Sequence, residues 1–176
     1  MSGYLETWSH HPVGLLHVGL AMLALLTGPL LFLRRKGTRA HRVLGYGYVV
    51  AMVIANVAAL ARYGLTGGFN LFHAAALASL ATLIPASYCA WRARVEASRG
   101  MRVAHGIFMS WTYFGLAIAF VAEFVTRRMP QLLHGDGAWI RFSVFLLLTM
   151  LLAGWMTQRL INLRILKRGS EPPSSQ

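Results

Sequence analysis

The fold is decided by residues 12–33, which read PVGLLHVGLAMLALLTGPLLFL. The stretch holds no Asp, Glu, Lys or Arg, and about 20 apolar residues in an α-helix cross the roughly 30 Å hydrocarbon core of a bilayer. The basic run Arg34-Arg35-Lys36 follows with no small-residue cleavage site before it. We therefore expect this stretch to remain in the protein as a membrane anchor and not to be removed as a signal peptide.

Four more apolar segments of similar length follow along the chain, at residues 43–62, 71–91, 103–125 and 139–161. Hydrophobic residues make up 56% of the 176 residues, a higher share than in an ordinary soluble domain. The sequence predicts an all-α integral membrane protein with five transmembrane helices, the first four forming an up-down bundle. We expect one domain over residues 1–168 and a disordered cytoplasmic tail over residues 169–176.

The basic residues are distributed unevenly between the links. Lys and Arg number 17 against 5 Asp and Glu, for a net charge of +12, and most of them lie after the first helix, after the third helix and in the tail. The positive-inside rule places those segments in the cytoplasm and the amino terminus outside. Cations at an anionic leaflet explain the net charge, so we expect lipid and no nucleic acid as a partner.

Four histidines lie at matched depths in alternating predicted helices. His17 and His73 fall near the outer ends of helices 1 and 3, and His41 and His105 near the inner ends of helices 2 and 4. In an up-down bundle, helices 1 and 3 are diagonal, as are helices 2 and 4. Two neutral imidazoles facing each other at one level can ligate a haem iron. The pattern favours two b-type haems, one held by each pair.

Other polar residues fit an electron-transfer function. Arg42 lies beside the inner pair and Arg62 near the outer pair, where a guanidinium can bind a haem propionate. Cys89 is the only cysteine, so redox chemistry needs a cofactor. Glu123 is a candidate proton acceptor or quinone contact, the alternative being an ion pair with Arg62. We expect a transmembrane oxidoreductase that takes electrons from a quinone or small-molecule donor.

Two other classes of function remain open at this point. His10 and His11, together with His17, His73, His134 and Glu123, could form a Zn or Cu site at the outer face, because imidazole suits both metals. The protein would then be a metal carrier or metalloenzyme. The third class is a non-catalytic membrane subunit or small-solute transporter, in which the histidines join helices. A homodimer through helix 5 is a further alternative.

Several of these residues resemble the cytochrome b-561 family. His17-Val18-Gly19 is followed by Gly28-Pro29, then by a basic link that leads to His41-Arg42-Val43-Leu44-Gly45. Helices 3 and 4, with His73, Pro85 and a basic link before His105, resemble that family's other histidine-bearing helix pair. The resemblance implies two b-type haems that carry electrons across a membrane, with the four histidines as axial ligands.

A closer resemblance covers most of the chain. Residues 36–48 and 67–73, the run around His105, Met109 and Trp111, and Ala122-Glu123 are similar to an uncharacterised family of bacterial predicted membrane proteins with a domain-of-unknown-function label. This resemblance implies a multi-pass protein of the bacterial cytoplasmic membrane. It implies no particular activity.

Overall fold

The structure is a computed structural model that describes residues 12–62, 68–128 and 135–169. Over these residues it consists of five α-helices joined by short links, without a β-strand. The helices are α1 (Pro12–Leu33), α2 (Arg39–Leu60), α3 (Leu71–Val95), α4 (Arg99–Arg128) and α5 (Ala138–Gly169). The predicted all-helical architecture is confirmed.

Four of the helices, α1 to α4, are long and apolar enough to cross a membrane. The apolar part of α5, Ile140–Met156, is shorter. The helices therefore support a multi-pass membrane protein. A fifth crossing, the bundle of the first four helices, and the orientation of the chain stay predictions.

Hydroxyl groups inside the helices bond to carbonyl oxygens of their own helix. Thr27 Oγ1 donates to the Leu23 oxygen at 2.8 Å, and Thr112 Oγ1 donates to the Phe108 oxygen at 2.9 Å. A hydrocarbon environment offers no water to satisfy such groups, so they need partners within the protein. These bonds make the helices compatible with lipid despite their Ser and Thr content.

Several helices are longer than the apolar segments that predicted them. Helix α2 begins at Arg39, because the Thr38 hydroxyl caps it by accepting the His41 N–H at 3.2 Å. Helix α4 likewise begins at Arg99, where the Ser98 hydroxyl accepts the Met101 N–H at 3.4 Å. Helices α3 and α5 continue past residues 91 and 161. The apolar segment indicates the membrane core, and the helix extends beyond it.

The chain divides into two compact units, Met1–Ser87 and Tyr88–Gln176. In the first unit, α1 packs antiparallel along α2. A methyl group of Leu31 in α1 lies 4.0 Å from the position of a Cβ on Gly45 in α2, an ordinary van der Waals contact. The first part of α3 is joined to α2 by a hydrogen bond of 3.0 Å from Asn56 Nδ2 to Ser79 Oγ.

In the second unit, α4 packs against α5. The Trp111 ring of α4 occupies the space that a Cβ on Gly154 of α5 would take. One turn further along α4, Met150 Cε lies 3.8 Å from the position of a Cβ on Gly115. The two helices therefore run antiparallel in a fixed register, with a large ring seated on a glycine.

Candidate functional site

His17 is held by a hydrogen bond between two helices. Its Nδ1 lies 2.8 Å from the backbone oxygen of Ala55 in α2, and the ring is half-buried. Since a carbonyl oxygen only accepts, Nδ1 carries the proton and the lone pair of the neutral ring lies on Nε2. Metal-ligating histidines are commonly oriented in this way, with the second ring nitrogen donating to a backbone carbonyl.

Arg62 lies against the helix turn that precedes His17. A Cβ built on Gly14 would be 2.6 Å from Arg62 Nη1 and 3.0 Å from Arg62 Cζ. Gly14 is buried and Arg62 is half-buried. The cation predicted for the outer histidine pair is therefore placed on the first turn of α1, which contains no acidic residue.

His73 is buried, with 2% of its surface exposed, and takes part in the cap of α3. Its Nδ1 accepts the N–H of Asn70 at 3.3 Å, while Asn70 Oδ1 accepts the N–H of Phe72 at 3.0 Å. This reciprocal arrangement resembles a capping box, with His73 in the place usually taken by Glu or Gln and with Asn70 accepting from the second helical residue instead of the third. The bond puts the proton of the neutral ring on Nε2, the reverse of the arrangement at His17.

Hydrogen bonds made by α2 show how far apart His17 and His73 lie along the helix axis. Ala55 binds His17, and the next residue, Asn56, binds Ser79 of α3. Ser79 follows His73 by six residues, which is about 9 Å along a helix. His73 is thus offset from the level of His17 by about one to two turns, and any pairing of the two rings has to span that offset.

His41 and His105 belong to different units of the chain. His41 is half-buried at the third position of α2, and its backbone N–H binds the Thr38 hydroxyl. His105 is half-buried in the second turn of α4. Their pairing stays a prediction. Arg42, the predicted inner cation, is exposed and donates from Nη1 to the Gly37 oxygen at 3.0 Å.

Glu123 forms an ion pair within its own helix. Arg127 donates to Glu123 Oε1 from Nε at 2.9 Å, and Arg127 Nη2 lies 2.8 Å from the same oxygen. The spacing of four residues is the usual one for helical ion pairs, and it could have been found in the sequence. Glu123 and Arg62 belong to different units of the chain, and their pairing stays a prediction.

The predicted Zn or Cu site cannot be assembled from the described residues. Over residues 12–62, 68–128 and 135–169, no group of three or more His, Cys, Asp or Glu side chains comes together. His10, His11 and His134 lie outside these ranges. This site stays a prediction from the sequence.

The sequence model of a family described as Predicted membrane protein (DUF2306) matches residues 14–161. The chain belongs to this family. The match begins in α1 and ends in α5, so it includes all four histidines of the two predicted pairs. No curated protein and no solved structure matches the chain. Family membership supports a membrane protein and names no activity.

Proposed function

We propose that this DUF2306 protein binds b-type haem and transfers electrons across the membrane. His17 and His73 are the proposed ligands of an outer haem, and His41 and His105 those of an inner haem. The observation that carries the proposal is the hydrogen bond from His17 Nδ1 to the Ala55 oxygen. This bond keeps the proton of the neutral ring on Nδ1, which is the tautomer that a ligand binding iron through Nε2 would need.

Haem would supply a reversible one-electron carrier. Two such carriers at different depths would divide the crossing into shorter steps. His41 and Ala55 are 14 residues apart on α2, or about 21 Å along the helix axis. Because His17 binds at Ala55, this distance separates the proposed inner and outer ligand levels along one helix.

His73 could bind a haem iron if one of its hydrogen bonds were broken. Iron binding through Nε2 requires the proton on Nδ1, so the bond that Nδ1 accepts from the Asn70 N–H has to open. Asn70 Oδ1 still accepts the Phe72 N–H, which keeps part of the cap. His17 is therefore the proposed ligand whose hydrogen bond already suits iron binding. His73 is the proposed ligand that would give up the hydrogen bond from the Asn70 N–H in exchange for a bond to iron.

Charged side chains complete the proposal. Arg62 is the proposed cation for a propionate at the outer haem, and Arg42 for one at the inner haem. Glu123 is the proposed proton acceptor or quinone contact. Because its carboxylate is paired with Arg127, protonation of Glu123 would have to compete with this ion pair.

The test is an absorption spectrum of the full chain, purified from haem-sufficient cells and recorded oxidised and reduced. We expect two b-type components. His17→Gln should remove one of them, since the Gln amide can still donate to the Ala55 carbonyl but cannot replace imidazole as a ligand. His134→Gln is the matched control, and it should leave both components in place. His41→Gln should remove the other component.

Four outcomes would overturn the proposal or part of it. A folded, colourless wild-type protein would refute haem binding. Bound Zn or Cu that falls on changing His10 and His11 would favour the metal site, and absence of any metal would favour a structural subunit or solute transporter. Loss of the same spectral component in His17→Gln and His41→Gln would refute the proposed pairing.

A further inference from the structure

We infer that the turn joining α1 to α2 binds the phosphate headgroup of an anionic phospholipid through the guanidinium groups of Arg34, Arg35 and Arg39. The turn comprises residues 34–38 and is followed by Arg39, the first residue of α2. All three arginines are exposed. The site uses none of the proposed haem ligands and none of the proposed propionate partners, so it is independent of the proposed function.

The position of the turn follows from the two helices that it joins. Each of α1 and α2 is long and apolar enough to cross a membrane, and the two helices pack along each other. So short a link cannot extend far from the end of such a hairpin, because an extended residue spans at most about 3.5 Å. In a membrane the turn therefore lies at the level of the lipid headgroups, whichever surface it faces.

Internal hydrogen bonds order the turn. Lys36 Nζ donates to the Leu31 oxygen at 2.6 Å, so this ammonium group covers the carboxyl end of α1. The Thr38 hydroxyl donates to the Arg35 oxygen at 3.1 Å. Gly37 has a φ of 81°, in the left-handed region that glycine adopts without strain. The turn is therefore preorganised, which lowers the entropic cost of binding a ligand.

No carboxylate among the described residues of this unit balances the charges of Arg34, Arg35 and Arg39. Those residues, 12–62 and 68–87, include no Asp or Glu. A phosphate is a suitable counter-charge, because a planar guanidinium binds it through two parallel hydrogen bonds and is itself weakly hydrated. The three guanidinium groups, close together in the sequence, therefore form a site for one charged headgroup.

Exposed apolar side chains beside the turn distinguish a lipid from a free phosphate. Leu33, the last residue of α1, is 84% exposed, and Val43, one turn into α2, is 64% exposed. Apolar surface next to cations suits an amphiphile, whose headgroup binds the guanidinium groups while its acyl chains cover the apolar side chains. Inorganic phosphate would satisfy the cations alone. The occupant is therefore a phospholipid.

The test is a titration of the purified full chain in nonionic detergent with phosphatidylglycerol, with bound lipid counted by native mass spectrometry. Phosphatidylcholine with the same acyl chains is the zwitterionic comparison, and it should bind about tenfold more weakly or less. Arg34→Gln, Arg35→Gln and Arg39→Gln should each weaken phosphatidylglycerol binding about fivefold, the contribution of one cation near an anionic lipid surface. The triple variant should weaken it about a hundredfold if the three contributions add.

Two further variants make the result specific. Arg99→Gln removes an exposed arginine from the first position of α4. It follows a link in which Glu96 supplies a carboxylate that pairs with Arg92, so its loss should leave phosphatidylglycerol binding unchanged. Arg39→Lys should retain part of the binding, because the charge stays and the two parallel hydrogen bonds are lost. Circular dichroism checks that each variant keeps its helix content.

Each outcome supports or overturns the site. Equal binding of phosphatidylglycerol and phosphatidylcholine refutes it. An equal loss in Arg99→Gln and Arg39→Gln also refutes it, because net charge alone would then explain the binding. If glycerol 3-phosphate at the same concentration displaces phosphatidylglycerol, the occupant is a free phosphate compound and the inference is wrong. A colourless protein that binds phosphatidylglycerol through Arg39 would refute the proposed function and support the lipid site.

Discussion

Replacing His73 with Gln should separate its two roles, as the cap of α3 and as the proposed haem ligand. A Gln at this position of a capping box can accept the Asn70 N–H as His73 does, but it cannot replace an imidazole at iron. We expect His73→Gln to lower the free energy of unfolding by no more than about 1 kcal/mol. It should nevertheless remove the spectral component that His17→Gln removes.

His73→Ala should lower the free energy of unfolding more than His73→Gln does. It leaves the Asn70 N–H without its acceptor, a loss of about 1 kcal/mol. It also leaves a void where a side chain with only 2% of its surface exposed was packed, which adds about 1–2 kcal/mol. The expected total is about 2–3 kcal/mol.

The measurements are denaturant unfolding in detergent and the reduced-minus-oxidised spectrum, made on the same preparations. If His73→Gln keeps the full spectrum, His73 is a cap and not a ligand. If His73→Gln is as unstable as His73→Ala, the capping argument is wrong. Asn70→Ala serves as the control for the cap alone, and it should cost about 1 kcal/mol without loss of colour.

Three further predictions concern stability, each measured by unfolding in detergent. Gly154→Ala should destabilise the protein by about 1–3 kcal/mol, because the Trp111 ring fills the space of the new Cβ; Gly115→Ala, whose Cβ would make an ordinary contact, is the control and should not be destabilising. Asn56→Ala should cost about 0.6 kcal/mol through loss of its bond between helices, and an unchanged stability would show that the bond contributes nothing. Ala97→Gly should stabilise by about 1 kcal/mol, since Ala97 has a φ of 51°; a loss of stability would contradict this explanation.

Much of the fold could be predicted from the sequence because the membrane restricts it. The length of an apolar segment predicts that a helix forms, and each of the five predicted segments contains one, although α2 ends at Leu60, two residues before the predicted end at residue 62. The true ends could not be read from hydropathy. Helix α2 starts inside the basic link because Thr38 caps it, and only a search for capping residues would have shown this.

The site was predictable in composition but not in arrangement. The histidines could be selected as chemically capable residues, and the cap formed by His73 could have been suspected from Asn70 three residues earlier. The bond from His17 to Ala55 and the contact of Arg62 with Gly14 depend on the register of α1 against α2. Register results from packing along both helices, and no local pattern in one helix encodes it.

The α1–α2 hairpin has a consequence for how the chain enters the membrane during synthesis. Its contacts, the hydrogen bond from His17 to Ala55 and the approach of Arg62 to the turn at Gly14, lie within α1 and α2, which are translated before α3. Asn56 also donates to the Met52 oxygen of its own helix at 2.8 Å, so it has a partner before Ser79 is translated. The hairpin can therefore be released into lipid as a finished pair, and α3 can join it later.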